Sequence, residues 1–155
     1  MFVAPSMGGK STLTDFFIKQ GHSLVADDKV PTIIEGDCFM AGGSHPYHRP
    51  YRKFEELGHY VENFSSAFKP IQGFYGIKSV AADGDIKISE VRGAAKFSAL
   101  LPHYLYRFSF FEKKRMHYLI AMLNAVRVFD VTVPRNLKKL PEVHNIIYNH
   151  SRDLL

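Results

Sequence analysis

A loop of small residues near the start of the chain ends in Gly-Lys-Ser-Thr, a pattern that can bind phosphate groups. The sequence APSMGGKS at positions 4–11 fits G-x-x-x-x-G-K-[ST], with Ala4 in place of the first glycine. Glycines let backbone N–H groups turn inward around an anion, and the positive end of the following helix adds to the attraction. We expect ATP to be bound by Pro5, Ser6, Met7, Gly8, Gly9, Lys10, Ser11 and Thr12. The alternative is a glycine-rich turn that only caps a helix.

Within this loop, two side chains have distinct expected tasks. Lysine at this position reaches the β- and γ-phosphates of a nucleotide, and the hydroxyl that follows it is offered to magnesium. We therefore assign phosphate binding to Lys10 and a Mg²⁺ contact to Ser11. Thr12 is expected to be a structural residue of the first helical turn.

Two adjacent aspartates, Asp27 and Asp28, end a β-rich segment one helix after the loop. Because the ends of neighbouring strands converge on one crevice of a sheet, these carboxylates would face Lys10, a metal ion and a bound phosphate. We predict that Asp27, Asp28 and Lys10 are catalytic. Asp27 would orient an acceptor hydroxyl, and Asp28 would bind Mg²⁺ together with Ser11. An ordinary acidic turn is the alternative.

The histidines of the chain offer weaker signals. His22 begins a β-rich run, where a histidine is more often a structural hydrogen-bond donor than a catalyst. His45, His48 and His59 lie in or near a polar stretch, and their spacing does not define a metal site. We expect them to belong to a solvated loop.

The first half of the chain predicts one helix, two strands and a loop around these residues. Leu13, Phe16 and Phe17 at helical spacing predict a helix over 10–20, with Gly21 at its left-handed cap. The runs HSLVA and VPTII flank the aspartates and read as short strands. The stretch EGDCFMAGGSHPYHRPYRK, positions 35–53, is rich in Gly, Pro and His and is predicted to be a surface loop.

The second half predicts a hairpin, two helices, a strand and a terminal helix. GFYGIKSV and DIKISEV are separated by Ala-Ala-Asp-Gly, and because Asp-Gly is a turn signal we expect the two runs to pair. Helical periodicity follows in GAAKFSALL and EKKRMHYLIAMLNAV. In the second of these, the predicted apolar face comprises Met116, Leu119, Ile120 and Leu123. RVFDVTV predicts a buried strand stopped by Pro134, and the tail from Pro141 predicts a helix.

Length and composition limit what these elements can build. A chain of 155 residues with 46% hydrophobic content closes one core, so we expect a single domain over 1–155. The net charge of +5 favours acidic ligands, but the basic residues are scattered and indicate no nucleic-acid partner. Cys38 is the single cysteine, which fits a reducing compartment and predicts a cytoplasmic location. No membrane-spanning run is present in the sequence.

The beginning of the chain raises a separate expectation. Only Met1, Phe2 and Val3 precede the loop, whereas a phosphate-binding loop normally follows a full buried strand. Either that strand is very short, or an upstream strand or N-terminal portion is lacking, and we favour the second interpretation. Because an uncovered sheet edge recruits partners, we expect a homo-oligomer.

The segment GGKSTLTDFFIKQGHSLVADDKV resembles the core of the HPr kinase/phosphorylase C-terminal domain family. In that family a Gly-Lys-Ser loop is followed by a helix, then Gly-His, a short strand and an Asp-Asp pair. This pattern is matched here by Gly21, His22, Leu24, Val25, Asp27 and Asp28. The end of the chain, VTVPRNLKKLPEVHNIIYNH, is similar to the C-terminus of the smaller kinase-like relatives.

The resemblance implies a P-loop nucleotide-binding domain of the phosphoenolpyruvate-carboxykinase-like type, with a mixed sheet and flanking helices. It implies that Lys10 binds phosphates, that Ser11 and one aspartate serve Mg²⁺, and that an aspartate helps a seryl hydroxyl attack. EVRG at 90–93 is similar to a second family signature but lies far downstream, so its roles are not transferred. The acceptor can therefore differ from HPr, and phosphorylase activity stays open.

Two main hypotheses follow from the residues and the resemblance, and a basic nucleic-acid module, which steeply salt-dependent binding to RNA or DNA would support, is a third and weaker one. The first is an ATP-dependent kinase of a protein seryl or small-molecule hydroxyl. The second is a non-catalytic nucleotide-binding regulator. Consumption of the nucleotide separates them.

Overall fold

The computed structural model describes residues 1–49, 58–104 and 111–154, which form an α/β fold. The strands are β1 (Phe2–Val3), β2 (Thr32–Glu35), β3 (Cys38–Ala41), β4 (Tyr47–His48), β5 (His59–Tyr60), β6 (Lys69–Pro70), β7 (Gly73–Val80), β8 (Ile88–Val91) and β9 (Arg127–Pro134). The α-helices are α1 (Lys10–Lys19), α2 (Ala95–Leu100), α3 (Glu112–Ala125) and α4 (Leu140–Arg152). The predicted mixed sheet with flanking helices is confirmed.

The central sheet has four strands in the order β1-β7-β9-β8. β1 runs parallel to β7, and β7 runs parallel to β9 over the eight residues of each strand. β8 pairs with β9 in the antiparallel direction, which makes the sheet mixed. A three-stranded antiparallel sheet, β2-β3-β6, and the pair β4-β5 lie outside it.

Helices cover both faces of the central sheet. Side chains of one strand alternate between these faces, so a single strand contributes to two cores. On β9, Val128 packs into one core while Phe129 and Val131 pack into the other. The first core contains Phe39, Phe74, Leu100, Leu119, Met122, Leu123, Val126 and Val128. The second contains Leu13, Tyr75, Ile77, Phe129, Val131, Val143 and Ile147. Thus α2 and α3 cover one face, and α1 and α4 cover the other.

Helix α1 lies where the sequence predicted a helix. Leu13 is 1% exposed and anchors the helix in the second core. The helix ends at Lys19, and Gly21 follows with φ 90°, the left-handed conformation that was predicted for it. Its N–H group donates to the Ile18 carbonyl at 2.9 Å, which satisfies a carbonyl that the helix leaves open.

The predicted hairpin between residues 73–80 and 85–91 is wrong. The Asp-Gly turn does form, with the Gly84 N–H donating to the Ala81 carbonyl at 2.9 Å. The two strands then diverge, and β9 lies between them. β9 takes this central place because it is the more apolar partner: Val128, Phe129 and Val131 are each at most 1% exposed.

The predicted surface loop over 35–53 is wrong in two segments, because Cys38–Ala41 and Tyr47–His48 are strands. Gly36 and Asp37 form a two-residue turn between β2 and β3, with Gly36 at φ 59°. Gly-Asp between two strand-like runs is a hairpin signal, because two-residue hairpin turns require the positive φ that glycine adopts readily. Phe39 of β3 is buried in the first core, which draws this segment onto the domain. Residues 50–53 lie outside the described part of the chain.

Two other expectations were only partly right. The run HSLVA forms no regular strand in the described structure; Leu24 makes a single parallel bridge with Phe64. Helix α3 is present, but only Leu119 and Leu123 of its four predicted apolar residues are buried. Met116 and Ile120 are exposed, and the buried face of the helix comprises Leu119, Met122 and Leu123. That set has the same helical spacing, so periodicity alone did not distinguish the two stripes.

No helix among residues 1–49, 58–104 and 111–154 has the length and apolar character needed to cross a membrane.

The predicted terminal helix is confirmed as α4, which buries Val143 and Ile147. His22 contacts this helix: its Nε2 lies 2.9 Å from Nε2 of His144. This contact joins the segment after α1 to α4, so His22 has the structural surroundings that the sequence suggested.

Candidate functional site

The glycine-rich loop connects β1 to α1 and depends on its two glycines. The Gly8 N–H donates to the Pro5 carbonyl at 2.9 Å, which closes a tight turn. A Cβ atom at Gly8 would lie 2.9 Å from that carbonyl oxygen and 3.0 Å from Cβ of Ala4. Gly9 has φ 90°, a conformation that side chains disfavour. The backbone therefore forms a cradle that larger residues would fill or distort.

The loop opens directly onto the first turn of α1. Gly9 is the N-terminal cap residue, and its carbonyl accepts the first helical hydrogen bond from the Leu13 N–H at 3.0 Å. Among the residues that the structure describes, no side chain caps this end of α1, and its first turn contains no acidic residue. The N–H groups at this end and the helix dipole thus favour an anion. Phosphate binding by this loop stays a prediction from the sequence.

The end of β7 supports the loop from the central sheet. Ser79 Oγ donates to the Gly8 carbonyl at 3.3 Å. It would also lie 3.8 Å from a Cβ atom at Gly9. Met7 at the tip has φ 62° and is 98% exposed. A positive φ is uncommon for a residue other than glycine, and here it belongs to the sharp turn of the loop.

Lys10 and Asp27 are brought together by the structure. Lys10 Nζ donates to the backbone carbonyl of Asp27 at 2.7 Å and lies 3.9 Å from its Oδ1. The Lys10 side chain is 20% exposed. Lys10 and Asp27 therefore share one site, although the run before Asp27 forms no strand and the two residues do not meet through converging strand ends.

Asp27 is buried, and both of its carboxylate oxygens accept hydrogen bonds. His48 Nδ1 donates to Oδ1 at 3.1 Å, and the Arg49 backbone N–H donates to Oδ2 at 2.9 Å. Burial by itself raises the pKa of Asp27, but these two hydrogen bonds and the attraction of His48 and Lys10 outweigh it. The pKa of Asp27 lies below its usual value, so the group is ionised near neutral pH.

The other predicted site residues lie in different surroundings. Asp28 is exposed, whereas Asp27 is 8% exposed, so the two neighbours are not equivalent. Ser11 and Thr12 lie in the first turn of α1, next to Lys10. In the described residues, no group of three or more His, Cys, Asp or Glu side chains is arranged to hold a metal. Mg²⁺ usually takes one or two protein ligands plus phosphate and water, so the hydroxyl of Ser11 and a carboxylate suit it.

A cavity of about 350 Å³ borders Lys10 and Asp27. Its walls come from α1, from segment 22–27 and from segment 69–73, and they include Phe17, Leu24 and Ile71. Residues 5–9 of the loop do not line it. The cavity is therefore a recess separate from the glycine cradle, with a volume typical of small-molecule sites.

His48 is the site residue that sequence reasoning missed. It was predicted to lie in a solvated loop, but it is 2% exposed and contacts Asp27. His45 and His59, from the same part of the sequence, are exposed. The approach of Asp27 distinguishes His48 from them, and this approach has no local sequence signal.

The fold is similar to that of the Hpr(Ser) kinase/phosphatase from Coxiella burnetii, with a TM-score of 0.57 and 11% sequence identity. The similarity covers 99% of this chain and 87% of that one. No protein-family model and no curated protein matches the sequence. At this identity the similarity shows the fold alone. It supports the mixed sheet with flanking helices that the resemblance implied, while the P-loop type and membership of the family stay predictions.

The contacts of Asp27 predict its effect on stability. Asp27→Asn replaces one carboxylate oxygen, which accepts a hydrogen bond, with an NH₂ group, which cannot accept one. We therefore expect a loss of about 1–3 kcal/mol in the free energy of unfolding at neutral pH. Because the folded-state pKa of Asp27 is lowered, this difference is fully present above the unfolded value of about 3.9 and disappears as the pH falls through the folded value. Urea unfolding at several pH values measures it.

The matched control is Asp83→Asn, at an exposed turn position where Asn-Gly replaces Asp-Gly. We expect its unfolding free energy to stay within about 0.5 kcal/mol of the parent. Equal effects of the two substitutions would contradict the assigned contacts of Asp27.

Proposed function

We propose that this chain is an ATP-dependent kinase that transfers the γ-phosphate to a hydroxyl group of a protein serine or a small molecule. The observation that carries this proposal is the contact between Lys10 and the buried Asp27 at the open end of α1. That contact joins a phosphate-binding group to an ionised carboxylate beside a glycine cradle. The fold similarity to a kinase/phosphatase supports the same class of chemistry.

The residues divide the proposed reaction as follows. Backbone N–H groups of the loop and Lys10 bind the β- and γ-phosphates and neutralise their charge. The acceptor oxygen forms a bond to the γ-phosphorus as the bond to the bridging oxygen breaks, and that oxygen leaves with ADP. Asp27 orients the acceptor hydroxyl and takes its proton.

The lowered pKa of Asp27 is compatible with this task. The transition state of phosphoryl transfer is loose, so the attacking hydroxyl needs alignment more than a strong base. A carboxylate has about four lone-pair positions, and His48 and Arg49 use two of them. Positions remain for the acceptor hydroxyl.

Mg²⁺ would be held by Ser11 and Asp28, and when bound it would supply positive charge to the phosphate oxygens. The hydroxyl and the carboxylate are the hard oxygen donors that this ion prefers. ATP and Mg²⁺ are thus the proposed substrate and cofactor. The cytoplasmic location and the homo-oligomer remain predictions from the sequence.

The proposal predicts that Lys10→Ala abolishes or strongly weakens binding of Mg-ATP. The substitution removes a charge-assisted contact to phosphate, and we expect at least about a tenfold rise in Kd. Isothermal titration calorimetry measures the affinity, and circular dichroism checks that the fold is retained. Lys87→Ala is the control, because Lys87 is exposed and pairs with Asp85.

Equal ATP affinity in Lys10→Ala and the parent would overturn the assignment of the loop. Tight binding without nucleotide consumption, in the presence of acceptors from a metabolite and protein phosphorylation screen, would favour the regulatory alternative. Conversion of ATP to ADP with the γ-phosphate recovered on an acceptor would favour the kinase.

The two aspartates are predicted to act differently once an acceptor is found. Asp27→Asn should lower kcat by about 100-fold or more with ATP affinity nearly retained, since it removes the group that aligns the acceptor. Asp28→Asn should also raise the Mg²⁺ concentration needed for half-maximal activity. Steady-state kinetics across a magnesium titration measure both effects. Parent rates in both variants would show that the pair is structural.

A further inference from the structure

His48 links Asp27, which is proposed to orient the acceptor hydroxyl, to helix α1, which is proposed to bind the nucleotide. Its Nδ1 lies 3.1 Å from Oδ1 of Asp27, and its Nε2 lies 3.2 Å from the carbonyl oxygen of Ser11. The ring is 2% exposed, so water does not compete for these contacts. One rigid ring thus spans the distance between Asp27 and the first turn of α1.

The backbone around His48 is fixed from the opposite side. His48 of β4 pairs with His59 of β5. Gly58 precedes that partner at φ 94°, and a Cβ atom there would lie 2.6 Å from the His48 carbonyl oxygen. Only a glycine allows this approach without a shift of the strand. β4 is therefore seated closely against the chain that faces it.

Residues 48 and 49 act on the same carboxylate. The ring of His48 contacts Oδ1 of Asp27, and the backbone N–H of Arg49 contacts Oδ2. Two contacts to separate oxygens restrict rotation of the carboxylate plane, which a single contact would permit. Lys10 reaches the backbone carbonyl of Asp27 from a third direction.

We propose that His48 is a positioning residue that holds the Asp27 carboxylate in register with the start of α1, where the nucleotide phosphates would bind. This inference rests on the proposed kinase function for its kinetic consequence, but the positioning itself is measurable without it. His48 does not contact the reacting groups; it acts through Asp27. Its loss should therefore lower kcat more than it changes the KM for ATP.

Three substitutions separate the two contacts of the ring. The amide nitrogen of Asn lies the same number of bonds from Cα as Nδ1, and that of Gln lies the same number as Nε2. His48→Asn therefore keeps a donor for Asp27, His48→Gln keeps one for the Ser11 carbonyl, and His48→Ala keeps neither. We expect kcat to fall about 10- to 100-fold in the Ala and Gln variants, since small misplacements have effects of this size. The Asn variant should lie within about threefold of the parent.

Two comparisons distinguish positioning from a general loss of structure. In an Asp27→Asn background, His48→Ala should lower kcat no further, because both substitutions remove the same aligned carboxylate. His59→Ala, at the exposed partner position on β5, is the control and should keep the parent kcat. Independent, additive effects of His48 and Asp27, or a Gln variant that is better than the Asn variant, would overturn the proposal.

Amide hydrogen exchange tests the positioning even if no phosphoryl transfer is detected in the parent. The Arg49 N–H should exchange faster in the Ala and Gln variants than in the parent and the Asn variant, because its carboxylate acceptor is no longer held. The Val61 N–H, which donates to the Pro46 carbonyl at 2.8 Å, reports whether β4 and β5 stay paired and should not change. Equal Arg49 exchange in all four proteins would overturn the positioning role. Inactivity of the parent with an acceptor screen would instead count against the proposed function.

Discussion

Asp27 carries an ionised carboxylate in a position where only 8% of its surface is exposed. A buried charge is strongly unfavourable unless positive groups and hydrogen-bond donors surround it. Here Lys10, His48 and the Arg49 N–H supply them. The first turn of α1, strand β4 and the segment before β2 must therefore stay close together, and the candidate site depends on that closeness.

The central sheet determines where this cluster lies. β7 and β9 are buried on both faces, with helices α1 and α4 on one side and α2 and α3 on the other. Leu13 anchors α1 in the second core, so the start of this helix is held at a defined place beside β1 and β7. The glycine loop has little room for larger residues, because a Cβ atom at Gly8 would lie 2.9 Å from the Pro5 carbonyl oxygen and Gly9 has a positive φ that other residues disfavour. A stable support and a constrained loop are what binding a phosphate requires.

Sequence reasoning succeeded where the signal was local and failed where it was not. The glycine loop, α1 and its cap at Gly21 follow from spacing and residue type within twenty positions, and the structure has them there. The nearness of Lys10 to Asp27 was predicted from converging strand ends, but the run before Asp27 forms no strand, so the prediction was met by a different arrangement. The position of β9 between β7 and β8 did not follow from the sequence, because it depends on which strand buries more apolar surface. His48 was missed because its partner, Asp27, is 21 residues away and nothing local separates it from His45.

The most direct test of the central claim is an NMR titration of the parent protein with Mg-ATP, following backbone amides. If the loop, Lys10 and Asp27 form one nucleotide site, the amides of residues 8–12 shift saturably. The Arg49 amide shifts with them, because it is joined to the site through Asp27. In Lys10→Ala these shifts disappear at the same ligand concentration. Unchanged amides at residues 8–12 with millimolar Mg-ATP, or saturable shifts confined to another surface, would contradict the account.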